Sequence, residues 1–518
     1  MTVRWGRCSN FKNCTDAKQR QAIPIPQGTP FICPECSGTL VDENDLAPKR
    51  ISPAPRKQET TTPKVVLAAS ILLILVAGFA VWGGLHASKA SAAKVQPKTI
   101  LRLAGSNTIG DTLGPALAEA FLKDQGATDL RTLPGANPQE KIVQGILPGD
   151  NTPSAITIAA HGSATAFTSL AANSCDIGMA SRKIKPDEAS KLVALGDMSS
   201  AANEHILGLD GIAVIVNAAN PANQLNKETI KRIFTGDITD WSKAGPQAGS
   251  SSGAIKIYAR NDDSGTYDTF KSLVLAGKPL VSGAQRIEDS KTLSDAVAAD
   301  PHGIGFIGLP YIQSAKPVAV SEKGTQSLLP TRLTVGTEDY LLSRRLYLYS
   351  SAASGNKFAH QFVEFALSKA GQDVVGDSGF VTQNVAQVAQ AVAPQAPGEY
   401  KWLTKGANRL SLDFRFESGA AELDNKAQAD LDRVVSLIAD LKISPDRVML
   451  FGFSDNNGSP SSNQAISLTR AQAVESQFIE RGLHPAIVRG YGSGLSVAAD
   501  DSEEGQAMNR RVEIWVKK

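Results

Sequence analysis

Cysteine is scarce and unevenly placed: of five in 518 residues, four (Cys8, Cys14, Cys33, Cys36) fall in the first 36 positions and only Cys175 lies beyond. A lone thiol cannot close an intrachain disulfide, so the long C-terminal part folds without one. A surplus of either charge is also missing, since 53 Lys and Arg face 51 Asp and Glu for a net charge of +2. No global basic field exists to attract a polyanion, which excludes nucleic acid as a partner. Only six histidines are present, and they are scattered. Gly277 and Lys278 run into Pro279, so no phosphate loop of the Walker type is formed. These absences argue against an enzyme. Ser264 is a candidate nucleophile, and its neighbours have the character of anion donors.

One long apolar run is present. From Val65 to Leu85 only Ser70 interrupts the apolar character, and at 1.5 Å per residue such a run crosses a hydrocarbon layer of ~30 Å. A transmembrane helix is therefore expected at 65–85. Lys49, Arg50, Arg56, Lys57 and Lys64 precede it, against Lys89, Lys94 and Lys98 after it, so the positive bias places the N-terminus in the cytoplasm. The expected location is a single-pass inner-membrane protein with its C-terminal domains in the periplasm. Residues 42–64, rich in Pro, Lys, Arg and Thr, and residues 86–96 are expected as linkers.

In residues 1–41, Cys33 and Cys36 enclose only Pro34 and Glu35, a tight knuckle that lets two thiolates face one metal. Together with Cys8 and Cys14 they supply four ligands for tetrahedral zinc. So short a segment has no apolar core, and a structural zinc would supply its folding energy. The segment resembles a zinc ribbon, although the Cys8–Cys14 pair is wider than usual. Disulfides or free thiols are the alternative.

Residues 97–385 alternate short apolar runs with helical periods, the pattern of α/β architecture. Three stretches, AGSNTIG at 104–110, HGSATAF at 161–167 and ARNDDSGTYDTF at 259–270, place Gly, Ser and Thr just before a helical pattern. Helix N-termini expose unpaired N–H groups and a partial positive charge, so three of them converging would cradle an oxyanion. Ordinary N-capping explains any one of them alone. With CDIGMASR at 175–182, DGIAVIVN at 210–217, LNKETIKRIFTGDITDW at 225–241 and HGIGFIGLPYI at 302–312, the region resembles the phosphate-type solute-binding proteins of ABC transporters. The resemblance implies a two-lobed type II periplasmic-binding-protein fold that closes on phosphate or a related oxyanion. It places the ligand against Asn107, Thr108, Ser163, Arg260, Ser264, Gly265 and Thr266, with an ABC permease or a sensor as the implied partner. Where some phosphate binders carry Asp after the Ser of the second motif, this chain has Arg182 after Ser181. Asp210 is the candidate substitute acceptor for the phosphate proton.

A stretch of Ala, Gln and Pro at 386–400 is expected as a linker. In RLSLDFRF at 409–416, Leu410, Leu412, Phe414 and Phe416 alternate, as on a half-buried strand. Leu431, Val434, Val435, Ile438 and Leu441 then recur at helical spacing. GFSDNNGSPSSNQAISLTRAQAV at 452–474 and NRRVEIWV at 509–516 resemble the OmpA-like peptidoglycan-binding domain, which implies a βαβαββ fold for residues 401–518. Diaminopimelate carries an ammonium and a carboxylate on one carbon, and the family motif sets Asp455 and Arg470 against them, with Asn463 beside them. Phe453 stands where His is common. The chain as a whole reads as a multidomain α/β protein that captures an anion and holds the cell wall, for uptake or sensing. The alternative is a structural tether or envelope sensor whose central domain binds another small ligand or none.

Overall fold

The computed structural model describes residues 3–8, 22–26, 33, 40–42, 96–262, 264–416, 423 and 425–517. It divides into two units, Met1–Ser91 and Ala92–Lys518. In the first, the strand Val3–Cys8 lies between Ala22–Pro26 and Leu40–Asp42 in an antiparallel sheet. Cys8 pairs with Leu40 at the end of its strand, and Cys33 is buried. Cys14, Cys36 and the Cys8 side chain lie outside the described residues, and so does the apolar run 65–85. Among the described residues no helix is long and apolar enough to cross a membrane, and no three His, Cys, Asp or Glu side chains gather as a metal site.

The second unit begins with a lobe built on β1 (Lys98–Gly105), β2 (Thr128–Pro134), β3 (Glu140–Ile146), β4 (Ser154–Ala159) and β5 (Ile177–Ala180). Strands β1, β4 and β5 run parallel, while β2 and β3 form an antiparallel flank. The central strands are apolar on both faces because helices cover both, as parallel sheets require. Strand β6 (Glu204–Val216) then crosses to a second lobe and is buried along nearly its whole length. That lobe contains β7 (Lys256–Arg260), β8 (Gln285–Ile287) and β9 (Gly303–Gly308), and β10 (Ser343–Tyr349) returns the chain to the first. The two halves of β6 serve different lobes: Glu204–Gly211 pairs with β10, and Ile212–Val216 with β9. These two crossing strands are the hinge of a two-lobed α/β fold. Each lobe has its own core, with Phe121 and Phe362 edge to face in the first and Phe270 stacked on Phe306 at 4.0 Å in the second.

Four short helices face the cleft. In the first lobe α1 (Asn107–Gly110) is followed by α2 (Leu113–Asp124) and α3 (Ser163–Ala171), and in the second lie α4 (Gly265–Leu273) and α5 (Ser290–Ala299); of these, α1, α3, α4 and α5 begin at the cleft.

The C-terminal domain is a mixed sheet in the order β11 (Gln387–Val388), β12 (Ala407–Arg415), β15 (Arg511–Lys517), β13 (Val448–Gly452), β14 (Ile487–Gly490). Helices α6 (Asn425–Asp440) and α7 (Pro460–Glu480) cover one face, and α8 (Glu503–Asn509) precedes β15. Leaving aside β11 and α8, the order is βαβαββ. Two features differ from the sequence reading. The stretch 386–400 contributes β11 to the sheet edge and leads into a helix at Gly398–Thr404, because Tyr400 and Leu403 have aromatic and aliphatic neighbours to bury against. Strand β12 is buried on both faces: Leu410, Leu412, Phe414 and Phe416 pack inward, yet Arg409 and Asp413 on the opposite face are buried too, against residues of the two-lobed domain.

Candidate functional site

The three Gly/Ser/Thr segments do head helices. Ser106 precedes α1, Gly162 at φ 102° precedes α3, and Ser264 caps α4 by accepting from the Tyr267 N–H at 3.4 Å. Gly162 takes the left-handed region that a side chain resists. The helices meet across the cleft, where Thr108 Oγ1 of the first lobe lies 3.4 Å from Thr266 Oγ1 of the second; within the first lobe Ser163 Oγ lies 3.1 Å from Ser181 Oγ. A Cβ on Gly265 would stand 2.4 Å from Ser181 Oγ and 3.0 Å from Ser163 Oγ, so glycine there lets the lobes touch.

A cavity of about 310 Å³ opens beside this seam. Of the seven residues expected at an anion site, Asn107, Thr108, Arg260 and Thr266 line it. Ser163, Ser264 and Gly265 do not: the first bonds the Ser181 amide and hydroxyl, the second is spent as the α4 cap, and the third is the point of lobe contact. Asp111, Lys141, Asp289, Ser290 and Tyr311 also line the cavity and were not expected. Gln139 of the first lobe donates to Glu288 of the second at its rim.

Arg260 is buried, and its Nη1 donates to Ser290 Oγ at 2.6 Å. Its Nε has no hydrogen-bond partner among the described residues, and neither do Ser106 Oγ and Asn107 Oδ1. Burial, and after it the neighbouring Arg344 guanidinium, pull the Arg260 pKa below its ordinary value. A buried cation with an unmatched donor is costly, and an acceptor carrying negative charge relieves both defects. Burial above all pushes the Tyr311 hydroxyl up to about 12; the Thr112 hydrogen bond and Arg260 oppose the rise, and the charges of Asp111 and Asp210 add to it. Burial would raise Asp289, but the Thr292 hydroxyl and amide, with Arg260, hold it below the usual carboxylate range.

Arg344 went unread in the sequence because no local spacing marks it. It stands at the start of β10, behind the two threonines, and its Nη2 reaches Thr266 Oγ1 at 2.9 Å and Thr108 Oγ1 at 3.2 Å. The same guanidinium donates to Asp210 Oδ2 through Nε at 3.0 Å and Nη2 at 2.6 Å. Asp210 also accepts from the Leu309 N–H at 3.0 Å. Both its oxygens are thereby engaged with protein, and Asp210 is not among the cavity residues, which corrects its assignment as a proton acceptor for the ligand. Arg182 points elsewhere as well. It makes a two-pronged pair with Glu188 at 2.6 and 2.7 Å, donates to Asp268 of α4 at 3.1 Å and packs over Phe167. It links the lobes rather than lining the cavity.

In the C-terminal domain, Asp455 follows β13 and Arg470 lies on α7, both buried. A residue not singled out in the sequence pairs with Asp455: Arg510 Nη1 donates to its Oδ2 at 2.9 Å, while the Asn457 N–H donates to Oδ1 at 3.3 Å. Arg510 also donates to the Phe416 carbonyl and to Glu503. Burial brings Arg470 down to about 10, opposed by the charge of Asp455 and assisted by that of Arg510. Asp455 thus has two guanidiniums near it, one of which, Arg510, it shares with Glu503. Asn463 is buried beneath the 455–459 loop, where its Oδ1 would lie 3.3 Å from a Cβ on Gly458. Phe453 is fully buried, stacked with Tyr491 and covered by Arg511, so it belongs to the core and not to this site.

Residues 96–370 match the family model of the PBP superfamily domain, and residues 415–510 that of the OmpA family. The chain is 29% identical over 239 residues to the phosphate-binding protein PstS of Staphylococcus saprophyticus, which covers 45% of this chain and 72% of that protein. It is 27% identical over 239 residues to PstS of Staphylococcus aureus, covering 45% and 71%. Among solved structures, a putative phosphate ABC transporter substrate-binding protein with bound phosphate from Clostridium perfringens aligns at 26% identity and a TM-score of 0.42, over 55% of this chain and 99% of the other. The first match spans the two lobes and their crossing strands, and the second runs from the end of β12 through α8 of the C-terminal domain. The chain belongs to the PBP superfamily, and an OmpA family domain follows its binding domain.

Proposed function

We propose that this protein captures phosphate or a related tetrahedral oxyanion between its two lobes and holds peptidoglycan through its C-terminal domain, serving uptake or sensing at the cell envelope. The carrying observation is Arg260, a buried guanidinium on the cavity wall whose Nε has no acceptor among the described residues. An oxyanion oxygen supplies that acceptor, and the hydroxyls of Thr108 and Thr266 stand on the same wall. The relatives named phosphate-binding proteins support the choice of anion. Asp111 and Asp289, also on the wall, take over from Asp210 as the carboxylates that could accept the proton of hydrogen phosphate and reject sulfate. Binding proceeds without turnover in this reading, and an ABC permease or a sensor receives the loaded domain.

Calorimetry on the full chain in detergent should show heat with inorganic phosphate and much less with sulfate. Arg260→Ala should weaken binding by about 2–5 kcal/mol, the usual cost of breaking a buried charge-assisted contact, with a smaller effect on thermal stability. Silence of the wild type towards every tetrahedral oxyanion would defeat the reading.

The same proposal includes a structural zinc on Cys8, Cys14, Cys33 and Cys36 and an inner-membrane span at 65–85. Purified protein should carry one equivalent of zinc, and chelation should unfold the N-terminal segment. Metal-free protein whose N-terminal segment resists protease as the loaded form does would count against the site.

A further inference from the structure

The face of β12 turned away from α6 and α7 carries Arg409, Asp413 and Arg415, and β15 sets Arg511 and Glu513 beside them. Register places like charges opposite each other, Arg415 across from Arg511 and Asp413 across from Glu513, an arrangement that repels unless opposite charge stands close. Within the C-terminal domain this cluster holds three guanidiniums against two carboxylates. The third carboxylate comes from the two-lobed domain. Asp339, buried, lies 2.9 Å from Arg409 Nη2 and 2.9 Å from Arg415 Nη2. The chain is bent to deliver it: Glu338 takes φ 58°, the left-handed region that costs a side chain energy. Nearby, a Cβ on Gly336 would stand 2.6 Å from the Ser411 carbonyl oxygen.

The C-terminal domain also touches each lobe separately. On the second lobe, the Ala499 N–H donates to Glu322 Oε2 at 2.7 Å, and Ala498 is buried in that lobe's own apolar core. On the first, Arg433 Nη1 donates to Gln383 Oε1 at 3.0 Å, and Gln383 is tied to the Ile206 carbonyl of β6. Between these contacts, the segment that carries Asp339 runs directly into β10, whose second residue is Arg344 at the cleft.

We propose that the C-terminal domain is a clamp, seated on the hinge through Asp339 with a foot on each lobe, and that it holds the lobes at the closed spacing seen here. The lobes cannot swing apart about β6 and β10 without moving Glu322 relative to Gln383, and that motion breaks a foot or the seat. Coupling of this kind is reciprocal, so closing the cleft steadies the seat as much as the seat steadies the cleft.

Hydrogen exchange on the full chain in detergent, with no ligand added, tests the clamp. Asp339→Asn leaves three guanidiniums facing two carboxylates and should speed exchange several-fold at the seam, in residues 163–167 and 264–269, while β13 keeps its protection. Arg433→Ala removes the foot on the first lobe without touching the buried cluster and should act in the same direction. It decides the matter should Asp339→Asn fail to fold. Seam exchange at the wild-type rate in either folded variant overturns the proposal.

Discussion

Asp455 has two guanidinium neighbours with different work to do. Arg510 is tied at three points, to Asp455, Glu503 and the Phe416 carbonyl, so its removal strands a buried carboxylate. Breaking one side of a buried pair costs about 3–5 kcal/mol, and Arg510→Ala should lose thermal stability on that scale. Arg470 packs over Phe416 with its charge disfavoured by burial. In the proposed reading Arg470 meets a ligand carboxylate and Asp455 the ammonium on the same carbon. In sedimentation of the full chain with purified peptidoglycan, Asp455→Ala and Arg470→Ala should both lose about 2–5 kcal/mol of binding, with unchanged circular dichroism. If both still sediment as the wild type does, the wall reading of this domain is wrong. Arg510→Ala should separate from Arg470→Ala by its lowered melting temperature, a loss that Asp455→Ala shares in part because it breaks the same pair.

At the scale of elements, what could be read in the sequence was local. Leu410, Leu412, Phe414 and Phe416 announced the inward face of β12 by period alone, and Leu431, Val434 and Ile438 announced α6. The Ser264 cap of α4 followed from the same kind of short-range chemistry. Partners far apart in sequence stayed hidden, because no spacing encodes them. Arg344 and Asp210 are 134 residues apart and Arg510 and Asp455 are 55 apart. Asp339 meets Arg415 across 76. The candidate cleft was legible where it consists of helix starts and illegible where it consists of ion pairs, so Thr108 and Thr266 were found and the guanidinium behind them was not. The polar face of β12 misled for the same reason. Alternation shows which residues share a face, but it cannot show that a second domain covers it.

For the whole molecule, the order of parts on the chain sets the geometry of the proposed assembly. Only residues 86–97 separate the apolar run from β1, and twelve extended residues reach at most ~43 Å at about 3.6 Å each. Under the proposed single span, that tether would keep the binding domain within reach of a permease in the same membrane. This arrangement requires residues 1–64 and 97–518 to lie on opposite sides of the membrane. Thiol labelling is a poor way to check it, because Cys175 is buried and its thiol is pushed up to about 12, by burial first and then by Asp176. Protease added to intact spheroplasts is better suited. An N-terminal epitope should survive as a short membrane-bound fragment while the epitope on the C-terminal domain is lost, and detergent should expose both. Survival of both epitopes, or loss of both before detergent is added, would remove the single span at 65–85 and with it the reason for placing the anion site beside a membrane partner.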